Sequence, residues 1–466
     1  MSASDAPFSH TDEGTPESVW WSCPQWDGVR VLDRAATAKT FTKVIVAAAH
    51  PDDETLGIGG LVTDLAGLGV PVTVLVATAG ERSQPGLDEA ARTLLGTRRR
   101  REVEQALSGL APRAHLTHLG LPDTELRHHG AELAHEIAHR ADHDSLILAP
   151  WTDDGHQDHD ALGAAATVAA AVAGSVVAFY PIWLWHWSTP SQLPWESLVA
   201  SETSLVGCWR KRAALESFQS QHTALVDGSG RAPQLPILGP TAMARGRRMV
   251  ETLIDPQQRL PTLSQGVRAD QHAARAAEFD RMYDGGSDPW GNGSSFYEER
   301  RRNLVLAMLG ARRYRRVLEL GCADGYLTSA LAGRADEVVA LDTSARAVAA
   351  ARATTPSAHV EQGNVPDDIP AGRFDLIVLS EVGYFLTPTE LIQTVRRADA
   401  ALAPGGELVL CHWQHPTKNV PLDGPLVHDQ TRSVLGRPPR ARHREEDLCI
   451  EVWGEAPSIA ASEGRV

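Results

Sequence analysis

At 466 residues the chain exceeds what one ordinary hydrophobic core supports, and its length predicts two or three domains. Its residues are 42% hydrophobic and 22% charged, a globular composition, and its apolar stretch from Ala161 to Phe179 is alanine-rich and broken by Gly163 and Gly174, which argues against a membrane span. The formal net charge of -15 lacks the basic footprint that phosphate backbones demand, which excludes nucleic acid and leaves small, neutral or cationic substrates.

Residues 1–40 read as a tail and entry segment, with Trp20, Trp21 and Trp26 expected to pack on the first domain. That start is polar from Met1 to Glu17, with neither the basic nor the apolar region of a signal peptide. The five cysteines (Cys23, Cys208, Cys322, Cys411, Cys449) show no metal-type spacing, so free thiols in a reducing, cytoplasmic compartment are expected. From Lys43 the pattern alternates. A buried strand runs to Ala49, a helix from Leu56 to Gly69, a strand from Val70 to Ala77, a helix from Asp88 to Leu110, and a strand from Ser145 to Pro150. Such alternation implies a parallel sheet with crossover helices over 41–225. Between 226 and 265 the pattern dissolves into Gly, Pro and polar residues, which predicts a linker. Over 266–466 strand and helix alternate again: Arg316 to Leu320, Tyr326 to Ala332, Glu337 to Leu341, Ser344 to Thr354, Phe374 to Leu379. The expected fold class is α/β, as two Rossmann-like domains in tandem.

Two polar clusters stand at strand ends of the first domain, where open α/β sheets place ligands. One is His50-Pro-Asp-Asp-Glu54. The other is Gly155-His-Gln-Asp-His-Asp160, which opens a helix and puts His156 and His159 on one of its faces. A catalytic zinc needs three protein ligands and an open position. His50, Asp53 and His159 supply that set, leaving Asp52 to take a proton from the attacking water and His156 to serve the oxyanion or the departing amine. Asp158 is placed to orient a ligating histidine. A competing His135-Glu-Ile-Ala-His139 matches the zincin pattern. There Leu133 and Ile137 define the buried stripe, Arg140 follows directly, and no third ligand appears, so a solvated helix face is expected. The run Arg98 to Arg101 is read as mostly solvated and paired with Glu102 or Glu104.

These residues resemble the PIG-L (LmbE-like) deacetylases, over roughly residues 42–225, with softer matches at Thr78-Ala-Gly-Glu81, Arg99-x-x-Glu102, Gly120-Leu-Pro-Asp123 and Lys211-Arg-Ala-Ala214. The resemblance implies removal of acetyl groups from N-acetylglucosaminyl compounds with zinc. It implies His50, Asp53 and His159 as ligands, Asp52 as base, His156 as acid or oxyanion group, and Arg99 and Asp123 as substrate contacts. Phe218 departs from the histidine usual in relatives, and its stretch receives no role.

In the second domain Glu319-Leu-Gly-Cys-Ala-Asp-Gly325 follows a strand and opens a helix, with Asp342 about 20 residues on to meet ribose hydroxyls. NAD domains share that glycine pattern. The fuller run, with Gly363-Asn364, Ser380-Glu381 and Pro404-Gly-Gly406, resembles class I S-adenosylmethionine-dependent methyltransferases, departing at Ala323 and Asn364. It implies cofactor contacts from Glu319, Gly321, Gly325, Asp342, Asn364 and Ser380. Tyr283-Asp-x-x-x-Asp-Pro-Trp-Gly291, Ser295-Phe-Tyr-Glu298, Leu379-Ser-Glu-Val-Gly-Tyr-Phe385, His412-Trp413 and Asp423-Gly-x-x-Val-His428 narrow the resemblance to NodS-like N-methyltransferases, which methylate the free amine of a de-N-acetylated glucosamine. Glu381, Tyr384, Tyr297 and His412 become candidates to orient that amine, while Trp290 and Trp413 fit core packing as well as ligand contact. The combined expectation is a bifunctional enzyme that replaces N-acetyl by N-methyl on an amino sugar or aminoglycosyl metabolite. Methylation of an oxygen or of another molecule, or a cofactor-sensing second domain, stays open.

Overall fold

The computed structural model describes residues 12–224 and 235–466. The chain divides between Leu263 and Ser264 into two compact α/β units. In the first, eight strands are β1 (Arg30–Val31), β2 (Lys43–Ala48), β3 (Val72–Val76), β4 (His115–His118), β5 (Ser145–Pro150), β6 (Val176–Tyr180), β7 (Leu198–Glu202) and β8 (Val250–Ile254). They form one sheet in the order β1-β7-β8-β6-β5-β2-β3-β4. Neighbours pair in parallel except at β8, which runs antiparallel to β6 and β7. β2 and β5 are apolar because helices cover both sheet faces. Ile58, Leu61 and Leu65 of helix Asp53–Gly67 join Val44 and Val46 in the core, each such side chain contributing about 1.5–3 kcal/mol over leaving it exposed.

Strand order positions the first site. From β2 the sheet continues to β3 on one side and β5 on the other. The loops after β2 and β5 therefore part in opposite directions and leave a crevice at their carboxyl ends.

The expected linker over 226–265 requires correction. Its residues 226–234 lie outside the described residues, but its later part contributes helix Pro240–Gly246 and the fully buried β8 to the first unit. The cause is Glu251. Its carboxylate, buried in the middle of β8, accepts from the backbone of Gly60 (2.8 Å) and Leu61 (2.7 Å) and from Lys211 (2.6 Å), so an interior strand carries the polar signature of a surface segment. The entry segment is likewise integral. β1 pairs with β7, Trp20 donates to the Trp185 carbonyl (3.0 Å), and Glu17 takes both guanidinium bonds of Arg248 at 2.8 Å.

The second unit holds β9 (Tyr314–Leu320), β10 (Ala335–Asp342), β11 (His359–Gln362), β12 (Phe374–Ser380), β13 (Leu402–Trp413), β14 (Ala441–Arg444) and β15 (Leu448–Gly454), in the order β11-β10-β9-β12-β13-β15-β14. The first five are parallel, and β15 runs antiparallel to both its neighbours. Here the direction of winding reverses between β9 and β12, so the loops after Leu320 and Ser380 flank the crevice. Among the described residues no helix is long and apolar enough to cross a membrane.

Candidate active sites

After β2 the chain turns sharply, and Asp53 closes that turn by accepting from the backbone N–H of Ala49 (2.9 Å) and His50 (2.8 Å). Between them Asp52 takes φ 141°, a conformation that L residues rarely adopt. Arg99 holds it there. Its buried guanidinium donates to Asp52 (3.2 Å) and to the carbonyls of Pro51 and Gly80 (3.0 Å each). Gly80 has to be glycine, since it takes φ +61° and a Cβ there would lie 1.8 Å from Arg99 Nη1. Arg99, expected to touch substrate, lines the cavity but engages the loop through these three bonds.

His156 caps helix Gln157–Ala173, and His159 lies in its first turn. His159 Nδ1 meets the Asp154 carboxylate at 2.7 Å. That carboxylate, fully buried, also accepts from the backbone of Ile182, Trp183 and Leu184 at 2.9–3.0 Å. An ionised carboxylate only accepts, so Nδ1 carries a proton, and Nε2 is left to hold either a second proton or a metal ion. His159 Nε2 is buried without a hydrogen bond and faces Asp53 Oδ1 at 3.3 Å. A ring nitrogen and a carboxylate oxygen facing each other in the interior call for a cation between them, a proton or a metal ion that displaces it. His50 joins from the other side, with Nδ1 3.6 Å from Asp53. The ring donors of His50, His156 and His159 all come within 4.8 Å of one another, so His156, expected to act beside the metal, groups with two of the expected ligands.

Asp158 sits 3.4 Å from His50 Nε2 while holding the backbone of Thr124 and Leu126. Asp123, expected to meet substrate, places a carboxylate oxygen 3.2 Å from the same nitrogen and also lines the cavity. Burial raises the Asp52 carboxyl to about 7 even though Arg99 draws it down. Burial opposes charge on His159, yet Asp53 and Asp154 push it up to about 9. Asp154 escaped sequence reading because Asp153 precedes it and neither lies in a motif. The His135 and His139 rings stack on an exposed helix face, where Glu136 is tied to Arg140 at 2.7 Å.

In the second unit a cavity of about 220 Å³ opens at the β9/β12 reversal. Gly321 takes φ +79° there, and a Cβ would fall 2.0 Å from Val382 Cγ2. Ala323, in the place of a middle glycine, accepts φ 47° and donates its N–H to Asp342 at 2.9 Å. Asp342 takes a second bond from Ser344 N. Asn364 receives the Thr343 hydroxyl at 2.6 Å. Glu319 is buried, bonded to Thr328, and raised by burial to about 8. These residues and Ser380 line the cavity.

Gly325 does not, contrary to expectation. It caps helix Tyr326–Ala332 at φ +84°, and a Cβ would lie 2.8 Å from the Ala351 backbone, so its smallness serves helix packing. Glu381, at φ 60°, accepts from the Tyr384 hydroxyl (2.6 Å) and Trp413 N (2.8 Å), and both Glu381 and Tyr384 line the cavity. His412 and Tyr297 stand outside the lining: His412 is fully buried with Nε2 accepting from Gly383 N at 3.0 Å, and Tyr297 packs edge-on against Trp413. Trp290 lines the cavity. Arg301, which carries no motif, is buried at the wall and joins Glu298 to Ser380 (2.5 Å).

Residues 45–170 match the PIG-L family model, described as GlcNAc-PI de-N-acetylase, and residues 317–406 match a model described as a methyltransferase domain. The chain joins a PIG-L deacetylase domain to a methyltransferase domain. For the methyltransferase domain, an uncharacterized methyltransferase of Synechocystis sp. is 34% identical over 122 residues, 26% of this chain and 57% of that protein. Nodulation protein S of Sinorhizobium fredii is 32% identical over 127 residues, 26% of this chain and 59% of its own. For the PIG-L domain, the 1D-myo-inositol 2-acetamido-2-deoxy-alpha-D-glucopyranoside deacetylase of Rhodococcus erythropolis is 31% identical over 174 residues, 32% of this chain and 58% of its own. The chain thus spans a little under three fifths of each of these curated relatives.

Proposed function

We propose that the first unit hydrolyses the acetamide of an N-acetylated amino sugar or aminoglycosyl metabolite, and that the second methylates the amine so exposed. The observation that carries the first step is the buried, unbonded His159 Nε2 facing Asp53, with its tautomer set by Asp154. That donor set suits zinc, held by His50, Asp53 and His159. When bound, zinc polarises the amide carbonyl and makes water a stronger nucleophile. Asp52 then receives the proton of the attacking water, and Arg99 keeps its carboxylate aimed. The water oxygen bonds to the carbonyl carbon, the C–N bond breaks, and acetate leaves. Asp52 then passes that proton to the departing nitrogen, while His156, which burial and the neighbouring His159 and His50 hold against taking charge, offers its ring N–H to the oxyanion from the cavity wall.

The second step is supported by the methyltransferase match and the similarity to nodulation protein S. S-adenosylmethionine supplies an electrophilic methyl group when bound in the cavity between β9 and β12. Asp342 and Asn364 offer acceptors for its nucleoside, and Gly321 gives it close approach to backbone. The Glu381–Tyr384 pair orients the amine, which must arrive unprotonated and in line and loses its proton after the new C–N bond forms.

The deciding experiment incubates the full chain with zinc, S-adenosylmethionine and an N-acetylated amino sugar, and follows products by mass spectrometry. Loss of acetyl followed by methyl on the same nitrogen is expected. Loss of acetyl with methyl on oxygen, on another acceptor, or nowhere refutes the coupled scheme and leaves the first step standing.

A further inference from the structure

Gln221 ends the Phe218-Gln-Ser-Gln221 stretch to which the sequence assigned no role, yet it lines the same cavity as His50, Asp52 and Asp53. It is fully buried, and its Oε1 has no hydrogen-bond partner among the described residues. Its orientation follows from its neighbours. Ser220 donates its hydroxyl to Glu102 Oε2 at 2.6 Å and its backbone N–H to Glu102 Oε1 at 2.9 Å, while Arg98 pairs with the same carboxylate at 3.0 Å. With its one proton committed to Glu102, the Ser220 oxygen can only accept. Gln221 Nε2 fills that role at 2.8 Å. Turning the amide over would set a carbonyl oxygen against an oxygen with no proton left to give, so Oε1 must be the end left unbonded. A buried carbonyl without a donor is costly in the free protein, and such groups persist where a ligand supplies the missing partner.

The rest of the wall indicates which donor. Asp52 and Asp123 add further acceptors, and the Ser83 hydroxyl is a second buried polar atom without a partner among the described residues. Leu56, Trp183, Ile237 and Leu238 form the apolar part. A pyranose offers hydroxyls along its rim and C–H groups on its faces, which matches acceptors beside an aromatic and aliphatic surface.

We infer that Gln221 is a substrate-binding residue whose Oε1 accepts a hydrogen bond from a ring hydroxyl of the sugar that carries the acetamide. This rests on the deacetylase reading for the position of the scissile bond. Helix Glu89–Leu110 then serves the site twice, through Arg99 to the base and through Glu102 and Ser220 to the sugar contact.

The test compares zinc-loaded full-length protein with Gln221→Met, which keeps length and removes the acceptor together with the donor to Ser220, and with Gln221→Asn, which keeps both amide groups on a shorter stem. N-acetylglucosamine and its single-deoxy analogues are the probes. Gln221→Met should raise KM about tenfold with kcat changed less than about twofold, because a contact shared by ground and transition states is lost. Zinc content should stay constant and Tm should change little, since the unfilled buried acceptor goes together with the bond to Ser220. Gln221→Asn should recover part of the KM. One deoxy analogue should show no difference between wild type and Gln221→Met. Calorimetric binding of N-acetylglucosamine to zinc-loaded Asp52→Asn protein, with and without Gln221→Met, reads the contact without turnover and should show the same weakening. An unchanged KM and affinity, a fall in Tm as the sole effect, or no binding by the parent protein overturns the inference. Gln221-dependent binding without hydrolysis by wild type would instead overturn the deacetylase reading alone.

Discussion

The two crevices lie at equivalent places in their sheets, each where winding reverses beside a central strand, yet they are built from opposite materials. The one between β2 and β5 concentrates charge: three imidazoles and several carboxylates, most of them buried, held by hydrogen bonds to Asp154 and Asp158 and from Arg99. The one between β9 and β12 depends on backbone, with left-handed turns at Gly321, Ala323 and Glu381 along its wall. The lesson is that side-chain donors brought together in the interior suit an ion, whereas cleared backbone leaves room for a nucleoside. Damage to each should therefore have a different character and stay within its own unit.

The largest expected effect is at the ion. His159→Ala or Asp53→Ala should abolish zinc retention and deacetylation while S-adenosylmethionine binding persists, checked by metal analysis beside calorimetry. Loss of both would break the contrast. Next, Gly321→Ala should eliminate cofactor binding and lower the stability of the second unit by about 1–3 kcal/mol, because a Cβ meets Val382 at φ +79°. Deacetylation should be untouched. Asp154→Ala removes no ligand, but it frees the His159 ring and its tautomer and should weaken zinc about 10- to 100-fold in a competition titration with a chelator. Tyr384→Phe removes one hydrogen bond to Glu381 and should slow methyl transfer about fivefold, measured at saturating cofactor.

The smallest effect is on stability alone. Burial works against the Glu390 carboxylate, yet His272 and Arg275 hold it down at about 2, below its ordinary 4.5. A depressed folded value means that the stabilisation is present above 4.5 and lost as pH falls toward 2. Glu390→Gln should therefore lower the Tm of the second unit at neutral pH, and the gap from wild type should close over that window.

Much of both crevices was legible in the chain. His50, Asp52, Asp53 and His159 announced themselves because a run of apolar residues ended abruptly in side chains that bind metal. Gly321 and Asp342 did so because their spacing is that of a strand, a turn, a helix and a second strand. Other residues gave no such sign. Asp154 and Arg301 act through partners far away in sequence, and Glu251 disguised β8 as a loop by burying its charge against Lys211. Gly325 and His412 show the converse, since each stands in a suggestive motif but is spent on packing or on a backbone bond.

Local periodicity and short polar motifs were enough to determine two α/β units, the strand ends that carry their sites, and the residue types gathered there, because those properties are set by neighbours along the chain. Tertiary structure alone decided that β8 completes the first sheet, that Asp154 assigns the His159 proton, and that Gln221 is left with an open acceptor. Those facts depend on which buried group meets which: Asp154 is fixed by the backbone of Ile182, Ser220 by Glu102 and Glu251 by Gly60, partners far enough apart to leave no period in the sequence to read.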